Sequence, residues 1–449
     1  MTHPTSKEEA LMNRTIVASA GGRTLALIAL LTFASAPTFA ATQQDLEAKL
    51  QQLADEVAAL KTQLAKVSAE QQQQIGSTPI SSAPLPDVAN GPTESRLTAA
   101  RDDVSWFGYG QIDYARPTDN PSDTTETASR FVVGMDNRFD ENTHMVSELE
   151  VENAVSSAED PGEVEVEQMY VERTFGDRLF GKVGLFLVPS GLLNENHEPT
   201  NFYGVFRNRV ETAIIPTTWR EGGFLVQGNT DFGLRWDVGL TTGFDLSKWD
   251  PASPEGAESP LGSIHQELAL AKASDLAGVL ALNYTGIAGV RLGASIFSGD
   301  ASQGQPGFDD NQITLWEAHG TWTPGRFEFA ALYANGHISN TAKINATFVG
   351  NPTLIPERFY GWYTQAAYDL YEWQTASIRP FVRFERLNTA SNYADLAPGL
   401  TPPTGPNQDI ITAGFSFLFA RGVVLKADYQ HFHGFGESDL VNFGLGYQF

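Results

Sequence analysis

The densest group of residues able to do chemistry in this 449-residue chain runs from Pro189 to Thr218, PSGLLNENHEPTNFYGVFRNRVETAIIPTT. It carries Glu195, His197, Glu198, Arg207, Arg209 and Glu211, interleaved with Phe202, Tyr203 and Phe206, and Arg220 and Glu221 stand just beyond it. Acids, bases and rings on one long loop suit the sorting of solutes by charge and size. The other reading is a surface loop whose charges simply face water. Bond-breaking chemistry has little support. The chain contains no Cys and its 8 His are scattered, without a local Ser-His-Asp signature. His431 and His433 alone fall short of a metal site, so neither a metal nor a cofactor is expected.

The elements that must position this loop are strands. From Ser105 to Phe449 about sixteen segments alternate apolar and polar residues, each near the roughly 9 to 11 residues that a tilted membrane strand needs. In Phe232–Phe244, Phe232, Leu234, Trp236, Val238 and Leu240 share one face, with Arg235, Asp237 and Thr241 on the other. Ile411, Ala413, Phe415, Phe417 and Phe419 likewise oppose Thr412, Gly414 and Ser416. The segment Glu163–Phe175 changes phase near Gln168, the pattern of a bulge. Connections alternate in length: short ones such as FDENT (139–143), FGDR (175–178) and ARG (420–422) take turns with long ones such as 189–218 and 245–275. Short turns at one end and long loops at the other make a transmembrane antiparallel β-barrel, an all-β fold. A soluble sandwich has no reason to sort its loops by length.

With the apolar face outward, the alternation nominates Arg130, Arg138, Arg235, Arg291, Arg379, Arg383 and Lys426 as lumen wall, beside Asp136, Asp237, Glu385, Asp428 and the run Glu148, Glu150, Glu152. Two readings of the basic set stay open. Either Arg379, Arg383, Lys426, Arg130 and Arg138 form a basic wall facing a partly acidic loop, a transverse field that favours anions, or each is neutralised by a neighbouring lumenal acid.

The rest of the chain supports export and self-association. Arg14 and Arg23 precede LALIALLTF (Leu25–Phe33) and a small-residue stretch ending at Ala40, so residues 1–40 read as a signal peptide, with Met12 as the expected initiator. That apolar core is far shorter than the roughly 20 residues of a membrane helix. In residues 41–75, Leu46, Leu50, Leu53, Val57, Leu60, Leu64 and Val67 keep an unbroken heptad, a short α-helical coiled coil for oligomerisation. Residues 76–104, rich in Pro, Ser and Ala, read as a flexible linker to the barrel, residues 105–449. A net charge of −25 argues against nucleic acid as a partner. The last strand, VNFGLGYQF, places Phe443, Leu445 and Tyr447 on one face and ends in Phe449. It has the form of the assembly signal read by the barrel assembly machinery.

The order of signal peptide, Leu heptad, Pro/Ser linker, about sixteen strands and terminal Phe resembles the DcaP-like trimeric porins of the wider phosphate-selective porin O/P superfamily. The resemblance is strongest in VGLFLVPSGLLNENHEP (Val183–Pro199), NFYGVFRNRVETAIIPTTWREGG (Asn201–Gly223) and the last strand. It implies a homotrimer in the bacterial outer membrane, among lipid and lipopolysaccharide, with the coiled coil in the periplasm. It also implies passive uptake of small hydrophilic, often anionic, solutes. The chain departs from the family's basic ladders, with 29 Lys and Arg against 54 Asp and Glu. The competing reading is a structural or adhesive barrel, plugged by its loops and tethered through the coiled coil.

Overall fold

Alternating segments leave each strand with one apolar and one polar edge, and a sheet can satisfy both only if its two faces meet different surroundings. The computed structural model describes residues 104–449, apart from 157–161 and positions 309, 374, 435 and 437; the signal, heptad and linker segments lie outside the described residues. Here seventeen strands form one antiparallel sheet that closes on itself. They are β1 (Val104–Pro117), β2 (Thr125–Arg138), β3 (Thr143–Glu152), β4 (Val164–Thr174), β5 (Leu179–Leu187), β6 (Arg220–Asn229), β7 (Leu234–Thr242), β8 (Leu276–Ile287) and β9 (Val290–Asp300). The wall continues with β10 (Gln312–Trp322), β11 (Phe327–Ile338), β12 (Arg358–Tyr368), β13 (Tyr371–Trp373), β14 (Ala376–Asn392), β15 (Gln408–Ala420), β16 (Val423–His433) and β17 (Leu440–Gln448). The short β13 carries β12 onward after an interruption at Asp369 and Leu370, and both pair with β14, so the barrel has sixteen staves.

Closure joins β17 to β1, from Tyr109 opposite Gln448 to Pro117 opposite Leu440. Phe449 extends the seam by donating to the Gly108 carbonyl (2.9 Å) and accepting from the Gly108 N–H (3.2 Å). The Tyr447 ring lies over Gly110, where a Cβ would stand 2.5 Å from the phenol oxygen. Phe443 is exposed on the outer face and Leu445 half-buried. The outer surface of the other staves is also apolar: Phe131, Leu149, Val183, Leu240, Leu280 and Phe415 are all exposed. An exterior of this kind matches hydrocarbon, and the pairing of β17 with β1 removes the two free edges that an open sheet would have.

The barrel's apolar core lies in its lumen. Val279, Phe297, Leu315, Leu332 and Phe359 of β8 to β12 point inward and are buried. They meet Ile214 and Trp219 of the loop 188–219, Phe244, Trp249 and Leu261 of the loop 243–275, and Ile344 and Ile355 of the loop 339–357. Trp219 stacks on Phe244 (5.4 Å between centroids) and packs against Phe297 (4.7 Å). Aromatic contacts of this kind hold two loops and a wall strand as one apolar body.

Candidate functional site

The loop 188–219 begins and ends at a staple. Asn194 donates to the carbonyls of Val188 (2.7 Å) and Trp219 (2.8 Å) and accepts from the Trp219 N–H (2.6 Å), which ties the neck of the loop to its own first turn. Several of its polar and turn residues then reach the wall rather than water. On the first limb Ser190 pairs with Ser295 (3.0 Å) and Glu195 with Arg235 (3.0 Å). Pro199 packs on Gly446, where a Cβ would come within 2.6 Å, and Thr200 bonds Gln448 near the chain terminus. The limb therefore plunges through the lumen to the end of the barrel that carries the short turns.

The loop turns around Gly204, whose φ of +87° suits glycine. Phe202 lies under the Lys426 ammonium, 3.5 Å from ring centroid to Nζ, and Tyr203 stacks on Phe381 at 5.6 Å. On the returning limb the Val205 N–H donates to Asp428 (2.5 Å) and its carbonyl accepts from Gln111 (2.9 Å). The Arg209 N–H donates to Glu385 (2.6 Å). Glu211 accepts from the N–H groups of Leu192 (2.7 Å) and Leu193 (2.8 Å), from Tyr363 (2.8 Å) and from Asn208 (3.0 Å). Four donors consume that carboxylate in tying the two limbs together.

His197 is the most deeply held charge on the first limb, only 3 % exposed. Its Nδ1 faces the Asn194 carbonyl (2.8 Å) and its Nε2 faces Glu167 (2.6 Å), with the Tyr109 hydroxyl also at 2.8 Å. The Asn194 carbonyl only accepts, so Nδ1 carries a proton, and the adjacent Glu167 carboxylate favours the doubly protonated imidazolium. Burial alone would push its pKa down; the charge and hydrogen bond of Glu167 outweigh burial and hold it above the ordinary value. Behind this pair Arg130 donates to Glu150 (2.9 Å) and to the Tyr109 hydroxyl (2.8 Å).

The wall residues sort into two groups. Arg130, Arg235, Arg379 and Arg383 each meet a carboxylate: Glu150, Asp237 (3.0 Å), Asp369 (2.5 Å) and Glu385 (2.7 Å) in turn. Arg383 also donates to the Tyr203 carbonyl (3.1 Å), so the loop rests on this wall instead of facing it across water. Of the two readings of the basic set, the contacts favour pairing over a free wall: Arg130 and Arg383 are buried against their acids, where a desolvated guanidinium needs an acid close to it, and Arg235 and Arg379 are paired but partly exposed. Lys426 is covered by the Phe202 ring, and Arg138 and Arg291 line the open cavity described next. Arg207 is half-buried; burial, with Arg130 nearby, brings its pKa down to about 10.

Between the first limb and the inner faces of β1 to β10 lies a cavity of about 430 Å³. It opens toward the short turns, with Asp140, Glu141 and Asn142 at its margin. Glu195, His197 and Glu198 of the loop line it, and Glu211 does not. In all, eight carboxylates line it against four Lys or Arg, with three His. Lys182 is 3.7 Å from Glu172, and His144 bridges Asp136 (2.9 Å) and Glu172 (3.2 Å).

Sequence reasoning did not single out Tyr109, Glu167, Gln111 or Glu317. Glu167 had a signal: Glu148 pairs with Gln168 and Leu149 with Val166, so Glu167 is the extra residue of the bulge suggested by the phase change. The bulge aims its carboxylate at the loop. The others sit at ordinary lumenal positions, and only the fold of the loop sets them apart.

No family model matches the chain. A relative from Aquifex aeolicus (strain VF5), described as an uncharacterized protein, is 28% identical over 351 residues, 77% of this chain and 79% of its own length. Among solved structures, Salmonella typhi OmpF in complex with daunomycin is 13% identical, with a TM-score of 0.54, over 77% of this chain and 97% of that one. The outer membrane channel DcaP of Acinetobacter baumannii is 13% identical, with a TM-score of 0.50, over the same shares of the two chains. At such identities the likeness is one of fold. It places the described residues among sixteen-stranded porin-like barrels without singling out a phosphate-selective branch.

Proposed function

We propose that this protein is a DcaP-like passive diffusion channel of the bacterial outer membrane for small hydrophilic solutes, with the loop 188–219 as its constriction. The observation that carries this reading is the charged cavity inside a closed barrel with an apolar exterior. A purely structural barrel gains nothing from keeping carboxylates around an open interior space, where their mutual repulsion costs stability. On this reading Glu195 and Glu198 face the passing solute, His197 anchors the limb to the wall beside them, and Arg207, Arg209 and Glu211 hold the loop in shape. The heptad from Leu46 to Val67 joins three copies in the periplasm, and Phe443, Leu445, Tyr447 and Phe449 present the chain to the assembly machinery before closure within the lipopolysaccharide membrane.

The anion bias expected from a basic wall loses its support once those Arg residues are paired. The excess of acids around the cavity favours cations over anions instead. Planar-bilayer recording tests both levels. Open current in potassium chloride is the expected result, with a reversal potential in a salt gradient that reports cation preference. A protein that inserts and never conducts defeats the channel reading and leaves the plugged, structural barrel, for which the apolar half of the lumen is the material.

A further inference from the structure

Glu317, on β10, is 1 % exposed and lines the cavity. One oxygen of its carboxylate accepts from His319 Nδ1 (2.8 Å), which fixes the group in place. The other, Oε1, is buried and receives no hydrogen bond from any described residue. Its neighbours across the strand pairings are Ser295 and Ala334, and Ser295 is already engaged with Ser190. Gly293 leaves room beside it for the His319 ring, which a Cβ there would meet at 2.1 Å. A desolvated carboxylate oxygen without a donor is an unfavourable state that an incoming N–H relieves.

A second acid stands almost half-way round the barrel. Glu148, on β3, lines the same cavity, accepts from Gln168 (2.8 Å) and is among the carboxylates without a Lys or Arg ion pair in the described structure. The cavity's Lys182 and Arg235 are both committed to other acids, Glu172 and Glu195 with Asp237. Its volume of about 430 Å³ falls within the range of small-molecule sites. From these features, and resting on the channel reading above, we infer that the cavity is a binding subsite for small organic amines, with Glu317 Oε1 accepting from a primary ammonium and Glu148 adding to the negative field from the far wall. The subsite would select protonated amines and diamines from other small solutes, since its open acceptors are carboxylate oxygens that repel anions and give neutral alcohols a weaker bond.

The test uses the full-length protein in planar bilayers with diaminopentane as probe, against glutarate and pentanediol of the same chain length. Diaminopentane should interrupt the current in a concentration-dependent way, and the two comparators should not. Glu317→Gln should weaken its binding about tenfold, the worth of one charge-assisted hydrogen bond. Glu317→Asp should weaken it less, and Glu372→Gln, on an exposed hairpin away from the cavity, should leave it intact. Gel mobility of unheated samples verifies that each variant is folded. Equal interruption by glutarate, or undiminished interruption in Glu317→Gln, overturns the subsite while leaving the channel intact. If no current flows at all, the channel reading fails, and calorimetric titration of diaminopentane into wild type and Glu317→Gln still decides the subsite: binding to wild type alone supports it, and no binding to either overturns it.

Discussion

The two halves of the lumen are built on opposite terms. Toward the long-loop ends of β8 to β12 the inward residues include Ala277, Val279, Phe297, Leu315, Leu332 and Phe359, sealed by apolar residues of three loops. Along β1 to β4 they include Tyr109, Arg130, Glu148, Glu150 and Glu167, meeting one loop through His197. The apolar half gains from every methylene withdrawn from water and asks little about direction. The charged half gains only if each group finds a partner at the right distance and angle. One half therefore serves as ballast that keeps loops inside the barrel, and the other sets where the first limb of the loop lies and which side of it stays open.

If that division of labour holds, the largest effect comes from breaking the ballast. Trp219→Ala should cost about 3 to 5 kcal/mol, read by denaturant unfolding of refolded protein, with the reversal potential unchanged. A shift in selectivity without loss of stability would erase the distinction. Next, Arg130→Met leaves Glu150 and Glu167 without their guanidinium and should cost about 3 kcal/mol; unlike Trp219→Ala, it should also make the single-channel current unsteady as the first limb loosens. A quiet current in this variant would show that the charged network does not place the loop.

Smaller effects sharpen the same contrast. Gly446→Leu intrudes on the seat of Pro199, already within 2.6 Å of a Cβ at that position. It should cost about 1 to 3 kcal/mol and alter conductance by displacing the turn of the loop, whereas unchanged conductance would mean the turn does not border the path. Last is pH. Because the pKa of His197 is raised in the folded protein, its contribution is full below the ordinary imidazole value of about 6.5 and is lost as pH rises through the raised value. Wild type should lose an increment of stability on the alkaline side that His197→Gln never has, and parallel losses in the two proteins would count against the imidazolium.

Much of the barrel was legible because its signals are local. The outward faces of Phe232–Leu240 and Ile411–Phe419, and the alternation of short and long connections, follow from period 2 and turn chemistry. The apolar half of the lumen also left a trace in Leu276–Leu282 (LAGVLAL), where both faces are apolar, as in strands buried on two sides. That run says that something covers the inner face without saying what. Glu211 shows the limit: its place in a charged loop suggests a group facing solute, yet two backbone N–H groups, Tyr363 and Asn208 occupy it.

By itself the sequence determined the strand faces, the closed barrel, the sorting of loops by length and the terminal strand that seals against β1. Each rests on residues close together in the chain, where side-chain alternation and backbone hydrogen bonding leave few alternatives. Only the tertiary structure decided that the loop 188–219 lies inside, that most of the lumenal Arg residues are paired and that an acid-lined cavity remains beside it. Those outcomes depend on contacts such as Val205 with Asp428, 223 residues apart. A charge's role in the lumen is set by which desolvated partner the fold brings to it, and no local pattern records that.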